Sequence, residues 1–139
     1  MEWLTFSGIS WWGVLVAFLA SFVFGWIWYS PFAFFPVWSR LGKLDEEKLQ
    51  NANMAPVFGQ MMVGNLLGIV ALAMLMAGLG ASGVVAGMTL GLVVGIAFRT
   101  GAHLVHNGFA QRPGGLTLID SAHDTLALVI AGAALGLFM

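Results

Sequence analysis

The sequence predicts an all-α fold, an integral membrane four-helix bundle, on three observations. Of its 139 residues 60% are hydrophobic and 8% charged, too few polar side chains to cover a soluble domain. Four stretches, at about 10–30, 57–79, 84–106 and 117–138, stay apolar over the roughly 20 residues that cross a hydrocarbon core about 30 Å thick. Glycine, proline and polar residues mark the joins. The chain therefore reads as one transmembrane domain, 1–139, with residues 31–56 as an interfacial and cytoplasmic loop.

Taken in order, the first span carries Trp11 and Trp12 about 17 residues before Trp28 and Tyr29, or roughly 26 Å at helical rise, the separation of two aromatic belts. Glu2 stands where a secretory signal would carry a basic residue, so the first helix is expected to be retained. Past Pro31, the aromatic residues Phe32, Phe34, Phe35 and Trp38 adjoin Arg40 and Lys43, a mixture suited to the headgroup level. The stretch LDEEKLQNAN, with acids early and Lys48 after them, reads as a short solvated helix. Pro56 suits the first turn of the second span. Ser82 is the expected cap of the third helix, and Thr117 with Asp120 imitates a capping box for the fourth. Arg40, Lys43, Lys48 and Arg112 lie in the first and third loops, whereas the second loop, GLGASG, is uncharged. Both termini are thus expected on the outer side, in a multi-pass protein of a bacterial inner membrane.

In the third span Gly83, Gly87, Gly91 and Gly95 recur every four residues along one helix face. Such a face lets another helix approach to backbone contact, which matters where the solvent is lipid and the hydrophobic effect no longer drives helices together. Gly64 and Gly68 of the second span, and Gly132 and Gly136 of the fourth, offer partner surfaces. Two readings fit: packing inside one bundle, or a homo-oligomer built along the stripe.

The same four-residue step leads from Gly95 to Arg99 and His103, with His106 and Asn107 beyond. The fourth span answers with Asp120, His123 and Asp124. In an antiparallel hairpin with a constant register, Arg99 meets Asp124 and His103 meets Asp120. An unpaired charge at a membrane helix centre costs roughly 2.5–3.5 kcal/mol, so partners are required. The cluster can pin the hairpin, or it can form a proton or small-ion path, since histidine changes charge near neutral pH. A third reading makes His103, His106, Asp120, His123 and Asp124 ligands for a metal, or one histidine a haem ligand. The cofactor stays open, because no complete motif such as H-E-x-x-H is present.

The stretch FVFGWIWYSPFAFFPVW, 22–38, and NGFAQRPGGLTLID, 107–120, with Gly132 and Gly136, resemble the DUF1761 family of small bacterial membrane proteins. The family's G-x-x-WYSP-like helix end is matched by Gly25, Trp28, Tyr29, Ser30 and Pro31. Its second pattern is matched by Asn107, Arg112, Pro113, Leu116, Leu118, Ile119 and Asp120, with Phe109 displaced in spacing. His103 and His106 match no motif of that family. The resemblance implies a four-helix membrane fold and carries no established activity. Tyr29 either belongs to an aromatic belt before a helix-ending proline, or brings its hydroxyl to the polar cluster.

Function classes narrow accordingly. A net charge of −1 with scattered basic residues excludes a nucleic-acid footprint. The absence of cysteine removes thiolate chemistry, and no nucleotide loop or nucleophile–base pair argues for an enzyme. Small multidrug transporters need a carboxylate in the first helix, and none lies between Glu2 and Asp45. The leading expectation is proton or small-solute transfer through the intramembrane cluster. The alternative is an accessory or assembly subunit that partners a larger membrane complex.

Overall fold

The computed structural model describes residues 6–139; Glu2 and its neighbours lie outside the described residues, as do the side chains of Glu46, Lys48 and Leu49. Helix α1 spans Trp11–Trp28, α2 Phe35–Leu41, α3 Glu46–Asn51 and α4 Ala55–Leu79. α5, Val84–Val94, runs without a break through a π-helical turn, Gly95–Thr100, into α6, Gly101–Phe109; α7 is Gly114–Gly136. Among the described residues four helical runs are long and apolar enough to cross a membrane: α1, α4, α5 through α6, and α7. Their outer faces carry large apolar side chains, with Trp12 73%, Trp26 76% and Val85 77% exposed. Apolar surface of that extent is what lipid-facing helices present.

Local chemistry sets the ends. Ser10 Oγ accepts the Gly13 N–H at 3.2 Å and caps α1. Pro56 sits in the first turn of α4, as its missing N–H allows. The other end of α4 closes on Gly80, whose φ of 63° is left-handed, and the Ala81 N–H returns to the Met76 carbonyl. Two expected caps are corrected. α5 begins after Gly83 with no side-chain cap, so Ser82 does not serve there. α7 starts four residues earlier than a Thr117 cap requires. Proline 113 precedes its first turn, and the Thr117 hydroxyl bonds back to the Pro113 carbonyl at 3.5 Å while accepting Asn107 Nδ2 at 3.1 Å.

Helix α7 is the hub: it touches α1, α2, α4, α5, the π turn and α6. Its small residues make this possible, with Ala127, Ala131, Gly132, Ala134 and Gly136 all buried. The glycine stripe of α5 lies against it. A Cβ added at Gly87 would meet the Gly132 carbonyl, one at Gly91 the Leu128 carbonyl, and one at Gly136 the Gly83 carbonyl. Of the two readings of the stripe, packing inside one chain is the one observed. Gly64 takes no part in such packing, since nothing lies near its Cβ position.

The bundle has two unlike halves. At the end that holds the start of α1 and the end of α7, Val14, Ala17, Ile69, Leu72, Met76, Leu128 and Leu135 form one apolar core. The opposite half holds the polar residues of the π turn, α6 and the first turns of α7. Here α4 leaves the bundle, and residues 51–63 are exposed throughout.

Replacing Gly87 with Ala is expected to destabilise the protein by about 1–3 kcal/mol, because backbone on the facing helix cannot yield as a side chain can. Gly59→Ala, at a position with open space around it, should leave stability unchanged or raise it by up to ~1 kcal/mol. Unfolding in detergent followed by circular dichroism distinguishes the two.

Candidate functional site

The register that joins α5 to α7 changes at the π turn. Gly95 packs on Thr125, and Thr100, five residues on, also reaches Thr125, with 3.0 Å between their hydroxyl oxygens. A π turn inserts one residue into the helical count, so Thr100 takes the place on the α7 face that Arg99 would hold in an unbroken α-helix. Arg99 is turned towards α4. Its Nη2 donates to the Gly64 carbonyl at 3.2 Å and fills the space where Gly68 lacks a Cβ. The expected Arg99–Asp124 pair is therefore not formed, and among the described residues no carboxylate lies within ion-pair distance of this guanidinium.

Beyond the turn, His103 Nε2 lies 3.0 Å from Asp124 Oδ2, in place of the expected contact with Asp120. Helical side chains lean towards the N-terminus of their own helix, which carries His103 back to the level of Asp124. The other oxygen of the same carboxyl, Asp124 Oδ1, lies 2.9 Å from His123 Nδ1. One carboxyl group thus bridges two imidazoles from adjacent helices. His103 is the outer ring, 28% exposed, and His123 the inner one at 17%.

The inner ring sits among aromatic residues from α1. Phe24 stacks on it with centroids 5.5 Å apart, Tyr29 is at 4.9 Å and Trp28 at 6.1 Å. Gly25 completes the wall, since a Cβ there would stand 3.0 Å from His123 Nε2. That nitrogen is buried and, among the described residues, has no hydrogen-bond partner; the same holds for the nearby Trp28 Nε1. A buried unpaired nitrogen costs free energy unless it serves a purpose or meets a guest molecule.

Asp120 has separate partners. Its Oδ1 accepts from Tyr29 Oη at 2.7 Å and from Trp38 Nε1 at 2.8 Å, so the phenol at the end of α1 and the indole of α2 converge on one oxygen of α7. Leu41 of α2 rests over Gly115, with Leu41 Cδ1 3.0 Å from where a Cβ would be. The sequence reading that sends the Tyr29 hydroxyl to the cluster is the one observed. A cavity of about 230 Å³ opens here, lined by Trp38, His103, Asn107, Arg112 and Asp120 among others.

Not every candidate joins this group. The His106 side chain is exposed on α6 and among the described residues makes no hydrogen bond or ion pair, while Asn107 bonds Thr117. Among the described residues no three of His, Asp and Glu converge as a metal site would require. Sequence reasoning missed Trp38, Gly25 and Thr100. For Gly25 a signal existed in its fixed spacing from the Trp28–Tyr29–Ser30–Pro31 run; Trp38 had none, because its partner lies 82 residues away.

Tyr29→Phe and Trp38→Phe should each cost about 1–2 kcal/mol, the net worth of a hydrogen bond to an acid side chain. Because both donors share one oxygen, a double-mutant cycle on unfolding is expected to show coupling of about 0.5 kcal/mol or more.

A family model described as a protein of unknown function (DUF1761) matches residues 12–136, nearly the whole chain. No curated protein and no solved structure matches it. The chain belongs to that family.

Proposed function

We propose, with membership of the DUF1761 family as the premise and four apolar helices that suggest a membrane protein, that the chain transfers protons through the His103–Asp124–His123 chain. The observation that carries this reading is the single carboxyl group held by an imidazole on each side. With Asp124 ionised, His103 donates through Nε2 and His123 through Nδ1, leaving His103 Nδ1 and His123 Nε2 as acceptors. An added proton on either ring gives an imidazolium against the same carboxylate, so outer and inner states both keep opposite charges paired in a medium of low dielectric.

Transfer follows the existing hydrogen bonds. His103 takes a proton at Nδ1 and passes its Nε2 proton to Asp124 Oδ2. The next step needs His123 in its other neutral tautomer, reached by proton exchange from Nδ1 to Nε2: the carboxyl group turns and gives its proton to His123 Nδ1, the ring releases its Nε2 proton on the inner side, and the resting Nδ1–H state is restored. The cavity beside His103 supplies entry from the polar end, and the aromatic residues around His123 exclude water from the inner ring. Arg40 in the last turn of α2, Lys43 just after it and Arg112 between α6 and α7 all lie between spans at this polar end, while the turn between α4 and α5 carries no charge. Basic loops favour the cytoplasmic side, which turns both termini outward in a bacterial inner membrane.

In liposomes loaded with a pH-sensitive dye and driven by a potassium diffusion potential, the wild-type protein should carry protons above the rate of empty vesicles. Asp124→Asn should fall to that background while its circular dichroism is unchanged. Undiminished flux in the variant would sink the proposal.

A second reading, an accessory subunit of a larger membrane complex, is favoured by the exposed run of residues 51–63, where α4 leaves its own bundle and carries Phe58, Met61 and Met62 outward. Native mass spectrometry of protein gently extracted from its own membrane should then show a constant additional subunit; a lone chain or a homo-oligomer would reject that reading.

A further inference from the structure

One face of α2 is occupied by the contact of Trp38 with Asp120; the opposite face has no role in the relay. At the end of α2 the Leu44 N–H donates to the Ser39 carbonyl at 3.0 Å, the Lys43 N–H to the Arg40 carbonyl at 3.2 Å, and the Gly42 N–H to the Trp38 carbonyl at 2.8 Å. This closure places one residue in the left-handed region, a place that glycine fills at least cost. Here Lys43 fills it, at φ 51°. The chain accepts a steric penalty and keeps an ammonium group where glycine would leave none.

Beside this turn lies an open cavity of about 630 Å³, lined by Pro31, Phe35, Pro36, Ser39, Arg40 and Lys43 together with Leu44. Its lining holds two cations, one hydroxyl and apolar walls, with no carboxylate. The closing N–H groups occupy the last carbonyls of α2, so these do not oppose an anion. Among the described residues neither Arg40 nor Lys43 makes an ion pair. Ser39 Oγ donates to the Pro36 carbonyl over 3.4 Å, a long bond that a better acceptor can replace. Phe32 follows the lining residue Pro31 and is 100% exposed, and Phe34, which precedes the lining residue Phe35 and packs one side on Trp28, is exposed as well; both are apolar side chains that acyl chains can cover.

We infer that this cavity holds the phosphate of an anionic lipid headgroup between Arg40 and Lys43, with the lipid tails along Phe32 and Phe34. Guanidinium and ammonium are the groups that bind phosphate, the first as a planar fork and the second as a point charge. The juxtaposition of cations with exposed aromatic residues selects a phosphate that brings hydrocarbon with it. The bound lipid also steadies α2, and with it the Trp38 donor on Asp120. This inference rests on the membrane setting of the proposed function and is independent of its proton path.

The test is native mass spectrometry in mild detergent, titrating wild type, Lys43→Gly and Arg40→Gln/Lys43→Gln with phosphatidylglycerol, phosphatidylcholine or inorganic phosphate. Wild type should retain phosphatidylglycerol about tenfold over phosphatidylcholine, from two basic groups near a lipid phosphate. The double variant should bring the ratio close to one. Lys43→Gly relaxes the left-handed backbone, so it tests the ammonium in a chain that folds at least as well, and about a threefold loss of selectivity is expected. Equal retention of both lipids by wild type, or unchanged selectivity in either variant, overturns the inference. Displacement of phosphatidylglycerol by inorganic phosphate at matched concentration overturns the lipid assignment in favour of a soluble anion. Loss of selectivity in Lys43→Gly and loss of proton flux in Asp124→Asn are separate readouts, so either reading can fail alone.

Discussion

Backbone contact between α5 and α7 fixes the position of nearly everything else. In lipid, two helices gain nothing from hiding apolar side chains, so affinity comes from close approach and from the dispersion contacts that approach allows. Gly83, Gly87 and Gly91 face Gly136, Gly132 and the Leu128 carbonyl, and no side chain separates the two helices there. α7 is thereby seated against α5, and its remaining faces receive α1, α4 and α2. Ser21 reinforces the α1 side by donating to the Ala127 carbonyl at 3.2 Å from a buried position. Once α7 is placed, Asp120, His123 and Asp124 stand at fixed heights at the polar end of the bundle.

The π turn then decides which of those residues meet. With uniform α-helical phase, the step that brings glycines to α7 would bring Arg99 there next. The inserted residue sends Arg99 to α4 instead and gives Thr100 the α7 position. The same change leaves Asp124 open to imidazoles from both sides. A guanidinium paired with Asp124 would hold its proton at every accessible pH and make the carboxylate a fixed counter-charge. Histidine in that place leaves a group that can gain and lose one. The two arrangements have the same residues and opposite chemical character.

This also marks where the sequence is legible. Span number and rough extent follow from length and hydropathy, because lipid demands internal hydrogen bonding over a fixed thickness. The membership of the cluster is visible in part: His103, Asp120, His123 and Asp124 stand out because ionisable side chains are rare in an apolar run, but so do Arg99 and His106, which stand apart from it. Pairing is not visible: Gly95 and Gly101 bracket the π turn, yet nothing in the intervening residues distinguishes a π turn from an α-helix, and every later pair depends on that one count. The Thr117–Asp120 capping box failed for a related reason, as Pro113 began the helix sooner and Asp120 was claimed by Tyr29 and Trp38. Gly68 looked like a packing glycine and proved to be the space for a guanidinium.

The central place of α7 has a consequence for biosynthesis. Of the four spans described it is made after the other three, and the partners of Asp120 precede that residue by 91 positions at Tyr29 and 82 at Trp38. Until it enters the bilayer, α4 alone joins α1 to α5, through limited contacts with each, and α2 lacks the carboxylate that receives its indole. The contacts that α7 makes with α1, α2, α4, α5 and α6 can form only after the earlier spans are in place, so most of the tertiary structure is completed late. A nascent chain truncated before Gly114 would keep Arg99 against α4 but leave the glycine face of α5, Thr100 and His103 without the helix that covers them.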